Sequence, residues 1–406
     1  MRNGIGDASA KLNESIECDV AIIGAGITSA LVTDALIATG KRIVVLDSRD
    51  IAQGSTSAST ALLQYEIDTH LIDLTRVLGA DRAMRAYLAC AASFELLEAR
   101  FPDLLPMAGY ERRASLYLAS DDKSVPTLRA ELAARLRIGL SCEWLDGGEL
   151  RRRFGCQRPG GILSALGAQV DPFRLARGLF AANVRHGVRL FARTKVTQIE
   201  EQGPALRLWT AGGHAVTASQ VVVCAGYESL DFLADGFADV NNTFALVTEP
   251  LARNDRIATL PLMWESDRPY LYLRTTPDGR LLIGGADVPF KSSISRDLLL
   301  PRQVGKLASQ YLKLFGNDLP PVAYAWAGSF AETRDGLPLI GRVPGMSPRL
   351  QFALCYGGNG ITYSVQAADM IRAGLEGQAH DLDDIFGFER LRADLSAGRK
   401  TGVAGS

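Results

Sequence analysis

Apolar and polar positions alternate with distinct periods along this chain. An unbroken apolar run, Val20–Ile23, leads into Gly24-Ala25-Gly26-Ile27-Thr28-Ser29. Ala30–Ala38 follows, with Leu31, Ala35 and Ala38 near one helical face, and a second apolar run, Ile43–Leu46, ends at Asp47. Short apolar runs bounded by glycine predict strands buried on both faces, and the periodic stretch between them predicts a helix with Gly40 just past its end. The segment is therefore a β-α-β unit. A second such signal lies at Leu354–Thr362, which predicts a strand, a glycine turn and an apolar-periodic helix through about Ala373. Between them, Arg112–Ser120 and Thr243–Glu249 are candidate strands. Tyr270–Thr275 and Arg280–Gly285 should pair as a hairpin across Thr276-Pro277-Asp278-Gly279. Alternation then puts Tyr270, Tyr272 and Arg274 on one face of the hairpin and Leu271 and Leu273 on the other.

A length of 406 residues suits two structural units, and 44 basic against 45 acidic residues leave a net charge of −1. That balance argues against a nucleic-acid partner. The six cysteines contain no C-x-x-C and the four histidines no ligand spacing, so no metal site is expected. No apolar run reaches the length of a membrane span and Met1–Ser15 lacks a signal-peptide core, which makes a cytoplasmic location the expectation. Residues 1–16 and 397–406 read as loose tails.

The spacing in the first unit has a chemical reason. Gly24 permits a tight turn, Gly26 lets backbone amides approach a pyrophosphate at the positive end of the helix, and Asp47 sits where a carboxylate accepts from a ribose diol. Ser29 replaces the usual third glycine or alanine but is small enough for close packing. A dinucleotide is therefore expected, with NAD or FAD left open by this motif alone. Gly54–Leu63 is rich in hydroxyls and glycine. It suits a long phosphate-linked cofactor, or a plain surface loop. The Gly357–Thr362 turn would aim a helix N-terminus at an electron-rich ring. Arg151-Arg152-Arg153 and His70 read as solvated or capping groups.

With Val170-Asp171-Pro172, Val221–Gly226 and Asp335–Gly341 added in this order, the chain resembles the D-amino-acid-oxidase-like family of FAD-dependent oxidoreductases, from about Asp19 to Ala373. Glycine oxidases, sarcosine oxidases and gamma-glutamylputrescine oxidases are among its members. The resemblance implies an α/β fold: a Rossmann-like FAD-binding domain (residues 17–95, 150–238 and 323–378) with an inserted α+β substrate domain on a mixed or antiparallel sheet (96–149 and 239–322). It assigns Gly24, Ala25, Gly26, Ile27 and Thr28 to the pyrophosphate, and Asp47 and Ser48 to the adenosine ribose. Gly54, Ser55, Thr56, Ser57, Thr60, Ala61 and Leu62 fall along the ribityl chain and ring, Val196 by the adenine, and Ala225 and Gly226 by the ADP portion. Gly358, Asn359, Gly360, Ile361 and Thr362 would face the flavin's pyrimidine edge.

Two departures stand out. Phe330 occupies the position of the arginine that grips a substrate carboxylate in glycine oxidase, and Gly328 lies where a flavin-linking cysteine would fall. FAD is accordingly expected to be non-covalent, and Arg274 or Arg334 would have to replace the missing cation. Tyr270, Tyr272, Phe330 and Arg274 are the candidate substrate-side residues. The implied activity is oxidation of an amine C–N bond by hydride transfer to flavin N5, with oxygen as acceptor and no protein base required. A flavin dehydrogenase of a C–O substrate passing electrons to a quinone or protein, and a non-catalytic or redox-sensing flavoprotein, are the alternatives. The sequence leaves oligomeric state open.

Overall fold

The computed structural model describes residues 9–234, 236–252 and 256–391. The chain opens with β1 (Ile16–Ile23), α1 (Ile27–Ile37) and β2 (Ile43–Leu46), then α2 (Ser55–Ala58), β3 (Leu62–Leu63), α3 (Leu71–Leu78), α4 (Ala80–Arg100) and α5 (Leu104–Met107). Next come β4 (Glu111–Arg112), β5 (Ser115–Leu118), α6 (Val125–Arg137), β6 (Cys142–Asp146), α7 (Gly147–Phe154), β7 (Gly160–Ser164) and β8 (Ala168–Gln169). Helix α8 (Pro172–Arg185) precedes β9 (Arg189–Phe191), β10 (Val196–Gln202), β11 (Ala205–Thr210) and β12 (Ala215–Val223). The remainder holds β13 (Asp239–Thr248), β14 (Leu262–Glu265), β15 (Tyr272–Thr275), β16 (Leu281–Pro289), α9 (Ser293–Phe315), β17 (Val322–Glu332), β18 (Leu339–Gly341), β19 (Leu350–Leu354), α10 (Gly360–Leu375) and α11 (Asp383–Phe386).

Two eight-stranded sheets carry the fold, with a small third sheet of β3, β8 and β4. In the first, β19, β12, β1, β2 and β9 are mutually parallel. Their apolar runs are buried on both faces: Val20 and Ile22 enter one core, Ala21 and Ile23 the other. Because β1 lies between β2 and β12, the chain leaves it in opposite directions on its two sides, and a crevice opens at the strand C-termini. The second sheet runs β17-β13-β16-β15-β14-β5-β7-β6 and is mostly antiparallel, β14 and β5 being a parallel pair. One of its faces packs Leu246, Leu271, Leu273 and Ile283 against Leu307, Tyr311 and Leu314 of α9. The other face is left for the site.

The β-α-β unit and the hairpin form as expected, with Tyr272 opposite Gly284 and Thr275 opposite Leu281. Three features differ. Helix α1 is buried nearly all round rather than along one stripe, since it packs against α8 and α10 as well as the sheet. Residues 9–15 are not a loose tail: Leu12 is buried and its amide donates to Thr194 Oγ1 at 3.1 Å, while the Ser15 hydroxyl accepts from the Ala215 amide at 3.0 Å. Residues 397–406 lie outside the described residues. Strands β7 and β17, placed by sequence within 150–238 and 323–378, join the second sheet, where β17 pairs with β13 from Asp239–Glu332 to Thr248–Val322. Sheet membership is decided by a distant partner, which local pattern does not report.

Candidate active site

A cavity of about 510 Å3 runs from the C-terminal ends of the first sheet to the free face of the second. At its first end Gly24 has φ +106°, a conformation that favours glycine, and its amide donates to Leu46 O at 2.7 Å. A Cβ there would run into the Cys224 carbonyl. Gly26 caps α1 without a side chain of its own and lines the cavity at the helix's positive end. Asp47 accepts from the Ala25 amide at 2.6 Å and the Arg49 amide at 2.7 Å. Burial pushes its carboxyl above the usual range, with those two amides opposing. Beside it, Arg49 donates both Nη1 and Nη2 to Glu228, at 2.8 and 2.7 Å, tying the β2 end to the loop after β12.

The middle of the cavity is framed by the loop around α2. Thr56 Oγ1 accepts from the Ile27 amide at 3.0 Å, Ser55 Oγ donates to Ser329 O at 3.1 Å, and Trp326 Nε1 donates to Ala58 O at 2.9 Å. Those bonds fasten the loop to the start of α1 and to β17 of the second sheet. Opposite, α10 starts at Gly360 with no side-chain cap, because Asn359 Nδ2 instead donates to Gln64 O and Glu66 O, both at 2.9 Å. Thr28 and Ser364 hydroxyls meet at 2.7 Å, locking α1 to α10.

At the far end, Phe330 on β17, Thr243 on β13, Asp287 on β16 and Tyr272 on β15 line the cavity from four adjacent strands, with Tyr270 just before β15. The Tyr270 and Tyr272 rings meet edge to face, centroids 6.0 Å apart. Tyr270 donates its hydroxyl to Asp68 Oδ1 at 2.9 Å, and Asp68 Oδ2 accepts from the Gly358 amide at 3.0 Å. Burial, then the charges of Asp68 and Asp287, hold the Tyr270 hydroxyl well above its usual pKa and hence neutral.

Most of the expected cofactor residues line this cavity: Gly24, Gly26, Ile27, Thr28, Asp47, Ser48, Gly54, Ser55, Thr56, Thr60, Ala61, Leu62, Val196, Ala225, Gly226 and Gly358 through Thr362. Two do not. Ala25 is buried behind the turn, where its amide caps Asp47, and Ser57 is exposed, its hydroxyl turned back to Gly54 O at 2.9 Å. Tyr270, Tyr272 and Phe330 line the far end. Arg274 is outside the lining: it is buried and donates Nε to Thr60 O at 2.6 Å and Nη1 to Gln169 Oε1 at 3.4 Å. Desolvation lowers its pKa to about 10. It braces the loop after α2 from beneath instead of facing a substrate. Trp264 belongs to the core, stacked on Tyr117 at 3.7 Å. Sequence reading missed Arg49, Glu228, Thr243 and Asp287, whose roles arise from partners far away along the chain. His70 Nε2 meets the Tyr117 hydroxyl at 2.7 Å and lies outside the lining. The six cysteines are unpaired, and among the described residues no His, Cys, Asp and Glu cluster is arranged to hold a metal. No described helix is long and apolar enough to cross a membrane.

The residues suit FAD. A turn that no Cβ can enter, at the α1 N-terminus, fits a pyrophosphate, the α10 N-terminus an electron-rich ring, and the half-buried Asp47 carboxylate a ribose. Comparison with known proteins agrees. Residues 19–373 match the family described as DAO, FAD dependent oxidoreductase. The chain is 28% identical over 380 residues to gamma-glutamylputrescine oxidoreductase of Escherichia coli K12, covering 92% of this chain and 87% of that protein. It is 25% identical over 395 residues to glycine oxidase of Bacillus licheniformis, covering 93% and 98%. The crystal structure of glycine oxidase from Geobacillus kaustophilus superimposes with a TM-score of 0.74 at 20% identity, covering 92% of this chain and 98% of that one.

Proposed function

The chain belongs to the DAO family of FAD-dependent oxidoreductases, and from that premise we propose that it oxidises a carbon–nitrogen bond of a small amine. The observation that carries this reading is the make-up of the far wall: Tyr270, Tyr272 and Phe330 adjoin the Gly358–Thr362 loop, and among the described residues no cationic side chain lines that end. Relatives named for gamma-glutamylputrescine and for glycine support an amine as the reacting group.

Bound FAD would supply a two-electron acceptor for the hydride on the carbon beside nitrogen, with dioxygen as the final acceptor, leaving as hydrogen peroxide. The chain's own groups bind and orient. Gly26 and the first amides of α1 would hold the pyrophosphate, Asp47 the ribose, and the α10 N-terminus the edge of the ring that gains negative charge. Tyr270, fixed by Asp68, and Tyr272, packed edge to face against it, set the height of the substrate slot. Phe330 keeps one side apolar and excludes water, which favours the neutral amine that reacts. No protein base is needed. Six unpaired cysteines suit a reducing compartment and support a cytoplasmic location.

The test begins with the visible spectrum of the purified protein before and after acid precipitation, followed by anaerobic mixing with primary amines, α-amino acids and alcohols. Release of yellow flavin into the supernatant and bleaching by an amine are expected. Bleaching by alcohols alone, or by nothing in the panel, would overturn C–N oxidation.

A further inference from the structure

The carboxylates around the far end of the cavity are not equivalent. Asp68 is committed to the Tyr270 hydroxyl and the Gly358 amide. Glu332 is paired with Arg268 at 3.1 Å, and Arg268 also stands 3.6 Å from Asp68. Neither Asp68 nor Glu332 is in the lining. Asp287 is, and its Oδ1 has no hydrogen-bond partner among the described residues although it is closed off from solvent. An unpartnered carboxylate oxygen in such a place is costly unless something arrives to meet it.

The backbone is bent to put it there. Asn242 pairs with Val288 and Phe244 with Gly285, so the single residue Thr243 on β13 opposes two on β16, Ala286 and Asp287. This is a β-bulge, and Ala286 adopts φ +55°, an unfavourable conformation for alanine. Just before it, a Cβ at Gly284 would collide with the Tyr272 ring and one at Gly285 with the Tyr270 carbonyl. Two glycines and a bulge therefore gather both tyrosines and Asp287 on one wall. Strain of this kind persists where surrounding structure imposes it, often at ligand sites. The cations in the lining, Arg49 and Lys195, belong to the strand ends of the first sheet, and Arg49 is already paired with Glu228.

We propose that Asp287 is an ammonium anchor that makes the cavity select alkyl amines and diamines over α-amino acids. The proposal rests on reading this end as the amine-oxidising slot and deepens it by naming the substrate's charge. The substrate arrives as ammonium, gaining a charge-assisted hydrogen bond beside the Tyr270 and Tyr272 rings, and gives up its proton to solvent before reacting as the neutral amine. An α-carboxylate would instead bring a second anion beside Asp287, where the nearby cation, Arg268, is already engaged by Glu332 and Asp68. Burial raises the Asp287 pKa to about 6, the Thr243 hydroxyl opposing and Asp68 and Glu332 adding, so the group is anionic at neutral pH.

The test uses three ligands of one shape that lack an α-hydrogen and cannot be oxidised: tert-butylammonium, tert-butanol and α-aminoisobutyrate. Each is titrated into the holoenzyme while the absorbance of bound flavin is followed. Tert-butylammonium should bind at least about tenfold more tightly than either of the others, and Asp287→Asn should cut that preference to about threefold or less while tert-butanol binding is unchanged. Equal binding of α-aminoisobutyrate and the amine, or a preference that survives Asp287→Asn, overturns the proposal. The wild-type comparison decides even if the variant fails to fold. Because none of the three can be turned over, a failed anchor is distinguishable from a failure of amine oxidation.

Discussion

Tyr270 sits between two kinds of constraint, its ring against Tyr272 and its hydroxyl on Asp68. Tyr270→Phe keeps the ring and loses one hydrogen bond of about 1 kcal/mol, so substrate KM or the flavin-reduction rate should change about fivefold or less. Tyr270→Ala removes the wall and should change them by more than about tenfold, with flavin content unchanged in both; stopped-flow reduction measures each. Asp287 gives a prediction in pH. The groups facing it are Asp68, Glu332, Arg268, Tyr270, Tyr272 and the Thr243 hydroxyl, and their combined effect with burial sets its pKa at about 6. Binding of tert-butylammonium should therefore weaken as pH falls through about 6 and stay level above it. The sign for stability is the reverse. A carboxyl whose folded pKa exceeds its unfolded value costs stability as pH rises from about 4 to 6, so Asp287→Asn should add on the order of 1–3 kcal/mol of stability at neutral pH, seen as a higher Tm.

Among the elements, the β1–α1 turn tolerates little change. Gly24→Ala must place a methyl against the Cys224 carbonyl in a backbone conformation alanine resists, and the purified variant should be colourless or nearly so. A second lock joins the turn after β17 to the chain beyond α11: Arg390 donates Nε and Nη2 to Asp335 at 2.8 and 3.1 Å, both side chains being buried. Burial pushes the Asp335 carboxyl up, but Arg390, the Leu337 amide and the Thr333 hydroxyl outweigh it and hold it below the usual range. The stability this contributes is present above about pH 4 and is lost as pH falls through the lowered pKa. Asp335→Asn strands a buried guanidinium and should cost about 3 kcal/mol, seen as a lower Tm at neutral pH that converges with wild type in acid. At this scale, legibility follows sequence distance. The first β-α-β unit and the Tyr270–Gly285 hairpin could be read because their partners are neighbours in the chain. The bulge at Ala286, the sheet assignment of β7 and β17, and the bracing role of Arg274 could not, because each is fixed by a residue many positions away.

Across the whole molecule, the cavity is a joint property of two sheets, and its lining comes from segments as far apart as Ile23 and Thr362. Removing FAD should lower Tm by several degrees, since a ligand at a hundred times its Kd adds about 2.7 kcal/mol; calorimetry of stripped and reconstituted protein measures this. The glycine loops and Asp47 were visible in sequence because dinucleotide chemistry imposes a spacing. The wall proposed for the substrate showed only as alternation around Tyr270 and Tyr272, which any half-buried strand would produce, and Asp287 carried no local signal at all. The Thr28–Ser364 bond that locks α1 to α10 bears on synthesis. Helix α1 emerges from the ribosome early, yet the helix that closes its other side is translated more than three hundred residues later. A nascent chain arrested before β19 would carry the complete Gly24–Asp47 fingerprint and still fail to retain flavin. Loading is thus a late step in biogenesis, and until it occurs the apolar α1 is a natural target for chaperones.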